Sequence, residues 1–291
     1  MKNGCIWMNG EILSPGDAKV SIFDQAFLYG MSCFETVRVF EGIPFLLNEH
    51  LSRLHHAVTS MGFPPPAGLD NLEDIAQGTL EGSGLLDAVL RITVTPGIGG
   101  PLNMLDGEWK PMLIVSVLPL PLLNQDWYHA GVCGYVSRWR KGEGTIPQGA
   151  KVGNYAGNLL AGKEAKEYGA DMAIMLDKDA EVAGGNFANI FMRVDDIWQT
   201  PAPSSATLPG IIRGWVIRLL ERNGEEYLER SWHPGEFARA SEAFFSSSIR
   251  GLVPLVQVNE VRIGNGTPGK ETRALMDRYR TDTGSRTQMR S

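Results

Sequence analysis

Pro209-Gly210-Ile211-Ile212-Arg213 sets a glycine at the mouth of a helix, where free backbone N–H groups and the helix dipole face outward. Such a mouth suits an anion. Ser246-Ser247-Ser248 at a strand end offers hydroxyls to the same kind of ligand, and Arg53 on an early helix offers charge. Taken alone, each piece has a plain explanation: Pro-Gly is how helices start, and serine triplets are common loops. Other chemistries find less. The chain has no Gly-x-Gly-x-x-Gly or Walker loop, and Gly97-Ile98-Gly99-Gly100 runs into Pro101 and a polar loop where a nucleotide site needs a helix. His50, His55 and His56 share one helix with no acidic partner at a zincin spacing, so a solvated helix face accounts for them. Cys5, Cys33 and Cys133 lie far apart in no metal-like spacing, and serine-hydrolase chemistry lacks its nucleophile elbow.

The elements that must position these groups alternate between the two periods. Cys5 to Ile12 reads as a strand, an Asn-Gly turn and a second strand. Thr36 to Phe40, Glu41-Gly42 and Ile43 to Leu47 repeat that hairpin. A helix follows from Asn48, its expected N-cap, to Val58, with Leu51, Leu54 and Val58 on one face. A second helix is expected over 71–80, and strands over 88–94 and 112–117. Pro119-Leu120-Pro121-Leu122-Leu123-Asn124 is the one convincing linker, since two prolines stop both helix and central strand. Beyond it come a strand over 131–138, a Gly-rich loop, a helix over 155–168, strands over 172–176 and 189–194, and a strong amphipathic helix opening at Gly210. Phe244 to Ser248 is a last strand running into a loop. The expected organisation is α+β twice over: a smaller domain 1–119, a linker 120–124, a larger domain 125–276 and a frayed polar tail 277–291.

Composition narrows the class without choosing a function. The 27 Lys plus Arg against 33 Asp plus Glu leave a net charge of −6, which argues against nucleic-acid or anionic-membrane partners. No apolar run approaches the ~20 residues of a membrane helix, and the N-terminus lacks the apolar stretch of a signal peptide. An odd number of scattered cysteines reads as reduced thiols, hence a cytoplasmic protein. No metal is expected.

Together the pieces resemble a specific family. Asp24-Gln25-Ala26-Phe27-Leu28-Tyr29-Gly30, Phe34-Glu35-Thr36-Val37-Arg38-Val39 and His50-Leu51-Ser52-Arg53-Leu54 resemble the N-terminal half of the class IV, fold-type IV pyridoxal-phosphate enzymes. These include branched-chain aminotransferases, D-amino-acid aminotransferases and 4-amino-4-deoxychorismate lyases. Lys151-Val152-Gly153-Asn154-Tyr155, Asn189-Ile190-Phe191, Leu208-Pro209-Gly210-Ile211-Ile212-Arg213 and Ser246 to Pro254 follow in the family's order, so the likeness covers roughly 5–260. The resemblance implies a D-amino-acid-aminotransferase-like two-domain fold, a homodimer and pyridoxal 5'-phosphate as cofactor. It makes Lys151, otherwise readable as a surface lysine, the residue that forms the Schiff base and shuttles the Cα proton. That role suits an amine in a partly desolvated site, which can act as nucleophile and base. It puts Arg53, the Ile211 and Ile212 N–H groups and Ser248 on the cofactor phosphate, Tyr155 by the ring oxygen, and Tyr29, Arg38, Ile249 and Arg250 on the substrate side. Arg138 is a weaker substrate candidate.

One departure stands out. Where the family carries Val-x-Glu-Gly, with the Glu on the pyridine nitrogen, this chain reads Val182-Ala183-Gly184-Gly185. Gly184 thus removes the carboxylate that keeps the ring protonated as an electron sink. Glu181, three residues away, would point to the other face of an extended strand. Three readings follow. The first is an aminotransferase moving an amino group between an amino acid and a 2-oxo acid. The second is an aminodeoxychorismate lyase releasing pyruvate and 4-aminobenzoate, to which Phe34-Glu35-Thr36 and Ser248-Ile249-Arg250-Gly251 look closer. The third is a cofactor-binding protein of weak or specialised activity.

Overall fold

The computed structural model describes residues 4–99, 109–142, 146–204 and 206–284. Gly100 and Pro101 of the Gly-rich loop, and residues 285–291 of the tail, lie outside the described residues. The chain falls into two compact units: Met1–Pro121 with Gly149–Asn154, and Leu122–Gln148 with Tyr155–Ser291. The sequence boundaries put Gly149–Asn154 in the second domain. Backbone pairing moves it: Val152 bridges Cys33, the Phe34 N–H donates to Lys151 O at 3.0 Å, and the Gly153 N–H donates to Ser32 O at 2.8 Å.

The first unit is built on β1 (Cys5–Met8), β2 (Glu11–Leu13), α1 (Gln25–Tyr29), β3 (Cys33–Phe40), β4 (Ile43–Pro44), α2 (Leu47–Ser60), α3 (Leu72–Ser83), β5 (Ala88–Ile98) and β6 (Lys110–Pro119). Its strands form one sheet in the order β2-β1-β6-β5-β3-β4, antiparallel throughout. Asn9 and Gly10 both take positive φ, as the tight turn between β1 and β2 requires. Helix α2 packs on β3 and buries His50, Arg53, Leu54 and Ala57, and α3 packs on β1 and β6. Asn48 is not the N-cap of α2. The cap is Leu46, in left-handed conformation, because the chain must turn within two residues of β4, and Asn48 already lies inside the helix.

The second unit contains α4 (Asp126–His129), β7 (Val132–Val136), α5 (Ala156–Glu167), β8 (Met172–Leu176), β9 (Val182–Gly185), β10 (Asn189–Val194), β11 (Ile197–Thr200), α6 (Ile211–Asn223), β12 (Tyr227–Glu229), β13 (Glu242–Ser247), β14 (Gly251–Val258), β15 (Val261–Arg262) and α7 (Lys270–Asp282). The sheet runs β12-β11-β10-β13-β14-β7-β8-β9, with β15 on β14. It is mixed: β12 and β11, β14 and β7, and β7 and β8 pair parallel. Small residues let α5 close on the sheet, with Ala161 and Ala165 against Ala173 and Met175. Helix α6 buries Ile212, Trp215, Val216, Leu219 and Leu220, and Gly224 in left-handed conformation ends it. The polar tail does not begin at Asp277. That residue lies within α7, whose buried Tyr279 packs edge-on against Trp215 with ring centroids 5.3 Å apart.

Candidate active site

In the first unit, β3 presents alternate faces. Glu35 points to α2 and is fully buried, which obliges it to find partners. Arg53 meets it with a two-pronged grip, Nε to Oε1 at 2.7 Å and Nη2 to Oε2 at 2.8 Å. His50 Nδ1 lies 2.6 Å from Oε2. Burial alone would raise the Glu35 pKa, but the Arg53 charge and the hydrogen bonds from Arg53 and His50 win and hold it at about 2. An ionised carboxylate only accepts, so His50 donates from Nδ1. Burial lowers the His50 pKa, so the neutral ring is favoured. His50 is therefore a buried partner of Glu35, not part of a solvated face. The sequence carried one sign of this: a carboxylate on the same strand face as Val37 and Val39. Arg53 has two of its nitrogens committed to Glu35, so it is held rigidly.

On the other face of β3 lies Phe34, and Lys151 Nζ sits 4.4 Å from its ring centroid. The Lys151 segment is fixed to the strand by the backbone bonds described above, so a flexible side chain starts from a fixed backbone. Gly153 allows this, because a Cβ there would collide with the Ser32 hydroxyl and lie 3.2 Å from Gly30 O. Tyr29 closes α1 and is about half exposed. Arg38 shares the Phe34 face but sits four residues along, roughly 13 Å away at strand rise. It is buried, stacks on Phe40 and meets Asp87 at 3.4 Å.

In the second unit, Gly210 caps α6 without a side-chain bond, and the first turn holds no acidic residue. The N–H groups of Ile211 and Ile212 have no acceptor within their own helix. A side chain at Gly210 would run into the Asn189 amide, whose Nδ2 donates to Leu208 O at 2.8 Å. Asn189 pairs in register with Ser246, whose buried Oγ has no partner among the described residues. Ser248, Ile249 and Arg250 form the half-buried turn after β13. The Tyr128 hydroxyl holds Arg250 O at 2.8 Å, the Arg250 guanidinium lies 5.1 Å from the Trp127 ring centroid, and burial lowers its pKa. Tyr155 caps α5 and stacks on Phe187 at 5.9 Å. Gly184 lies on β9 at φ +134. Arg138 is 77% exposed and pairs with Glu164 at 3.3 Å, which sets it on the surface.

Two of these features fit needs of pyridoxal phosphate. An uncapped helix mouth that tolerates no side chain, with an orphaned buried hydroxyl on the neighbouring strand, fits a phosphate. An amine on an immobilised backbone fits an aldehyde. Among the described residues no group of three or more His, Cys, Asp or Glu could hold a metal ion.

Comparison with known proteins agrees. Residues 32–258 match the family described as Amino-transferase class IV. The branched-chain-amino-acid aminotransferase of Escherichia coli K12 is 30% identical over 281 residues, spanning 94% of this chain and 91% of that protein. The structure of a T.th. branched-chain amino acid aminotransferase with pyridoxamine 5'-phosphate superposes with a TM-score of 0.90 at 28% identity, covering 99% of this chain and 97% of that one. A 4-amino-4-deoxychorismate lyase from Pseudomonas aeruginosa superposes at 0.82 with 27% identity, covering 95% and 98%. The fold is that of the fold-type IV enzymes, and the chain belongs to the class IV aminotransferases.

Proposed function

We propose that this chain is a pyridoxal-phosphate-dependent aminotransferase moving the amino group of a branched aliphatic amino acid onto a 2-oxo acid. The observation that carries the reading is the seat of Lys151, an amine over the Phe34 ring on a segment hydrogen-bonded to β3. The branched aliphatic class is supported by the similarity to branched-chain aminotransferases. Bound pyridoxal phosphate supplies an aldehyde for the incoming amine and a ring that draws electrons from Cα. Lys151 Nζ holds the cofactor and moves the Cα proton. The Ile211 and Ile212 N–H groups, Ser248 and Arg53 bind the phosphate, and Glu35 keeps the Arg53 guanidinium aimed. Tyr155 reaches the ring oxygen. Tyr29, Ile249 and Arg250 serve the substrate, while Arg38, buried against Phe40 and Asp87, and the exposed Arg138 have the least claim to do so.

The active form is a homodimer in the cytoplasm. Ile22, Phe23 and Phe27 are 62%, 54% and 70% exposed, an apolar run of the kind a subunit interface covers. No helix among the described residues is long and apolar enough to cross a membrane.

A panel of amino donors against 2-oxoglutarate tests the reading. Leucine, isoleucine and valine should be turned over, and silence across the whole panel contradicts it. A lyase reading stands second: the Pseudomonas aeruginosa lyase superposes at 0.82, below the 0.90 of the branched-chain aminotransferase, and Phe34-Glu35-Thr36 and Ser248-Ile249-Arg250-Gly251 look closer to lyases. Release of pyruvate and 4-aminobenzoate from aminodeoxychorismate would select it.

A further inference from the structure

Gly184 lies where the family resemblance implies a carboxylate facing the cofactor's pyridine nitrogen, and what stands beside it here is a cation. A Cβ built on Gly184 would lie 3.1 Å from Lys141 Nζ and 2.9 Å from Ala188 O. The Ala188 carbonyl is itself held by the Gly185 N–H at 2.8 Å, so it cannot easily yield. The backbone at φ +134 disfavours any L side chain at this position as well. The neighbourhood thus excludes a side chain at 184 twice over and admits the lysine amine. Lys141 is delivered there by its own backbone, whose N–H donates to Leu176 O at 2.9 Å at the end of β8. Its Nζ donates to Ala183 O at 3.4 Å, a carbonyl that Thr207 Oγ1 already holds more closely at 3.1 Å. An ammonium can donate three hydrogen bonds at once.

We propose that Lys141 is the partner of the cofactor's ring nitrogen in this chain, so that the site takes the pyridine in its unprotonated, hydrogen-bond-accepting form. An ammonium and a pyridinium repel, whereas an ammonium and a neutral pyridine nitrogen form a charge-assisted hydrogen bond. The inference rests on the reading of the chain as a pyridoxal-phosphate enzyme and deepens it. With the nitrogen unprotonated the ring is a weaker electron sink, so Cα proton removal leans more heavily on Lys151.

The test uses the whole protein reconstituted with pyridoxal phosphate labelled with 15N in the ring. The ring resonance of the unaltered protein should lie at the unprotonated end of its range, and Lys141→Arg should leave it there. Lys141→Met should shift it and weaken cofactor binding about tenfold or more, the loss expected for one hydrogen bond from a charged group. A protonated ring nitrogen in the unaltered protein overturns the proposal. So does a Lys141→Met protein with unchanged resonance and affinity. If Lys141→Met does not fold, the unaltered protein and Lys141→Arg still decide. Failure to take up the labelled cofactor at all is a different outcome, and it overturns the enzyme reading underneath together with this inference.

Discussion

The Glu35 carboxylate is the most constrained charge in the first unit, and its neighbours set a testable pH dependence. Its folded pKa of about 2 lies below the ordinary 4.5. The stability it contributes is therefore complete above about pH 4.5 and is lost as the pH falls through about 2. A shift of this size corresponds to on the order of 3 kcal/mol. His50 acts in the same direction: burial lowers its pKa from 6.5, so below that value the unfolded chain takes up its proton first. Glu35→Gln should destabilise by about 3 kcal/mol at pH 7, because it leaves Arg53 buried without its counter-charge. The gap from the unaltered protein should shrink between pH 4.5 and 2 in urea titrations, and a gap independent of pH contradicts this. Gly184→Glu is a second residue-scale case. Strain at φ +134 and the fixed Ala188 carbonyl predict roughly 1–3 kcal/mol of lost stability or cofactor affinity, not a simple gain in rate. Equal melting temperature and cofactor affinity in the variant would show that the backbone relaxes around the new side chain.

At the scale of elements, the short Lys151 segment decides how well the amine is held. Gly153→Ala should displace that segment from β3, since its Cβ would meet the Ser32 hydroxyl and sit 3.2 Å from Gly30 O. The expected readout is a fall in kcat of about tenfold or more, since small misplacements of a catalytic group are costly. A variant with wild-type kcat contradicts the account. Local signals made part of this legible. The Asn9-Gly10 turn, the apolar stripe of α6 and its Pro-Gly mouth are each encoded within a few residues, and all are found in the structure. Features set by distant pairing were not legible. The burial of His50 depends on which face of β3 meets α2, and the placement of Lys151 in the first unit depends on Val152 reaching Cys33. Leu46 as a left-handed cap runs against its residue type, so no propensity points to it. The sequence reading leaves β14 and α7 unassigned. Helix α7 has little apolar surface of its own, and its place is decided by contacts such as Trp215 with Tyr279.

For the whole molecule, the exposed run at Ile22, Phe23 and Phe27 predicts self-association. Light scattering at micromolar concentration should give a dimer, and Phe23→Asp with Phe27→Asp should shift it toward monomer. A monomeric unaltered protein contradicts the homodimer. The family likeness was legible along most of the chain because its motifs are local and ordered, whereas the partner of the ring nitrogen was not. Lys141 and Gly184 are separated by 43 positions and meet only when β8 and β9 pair. The most direct test of the central claim is borohydride reduction of the purified protein with pyridoxal phosphate, read by intact mass and peptide mapping. One reduced cofactor per chain, attached at Lys151 and absent from Lys151→Ala, is the expected result, with the folded far-UV spectrum of that variant unchanged. Attachment at another lysine, or none, contradicts the account.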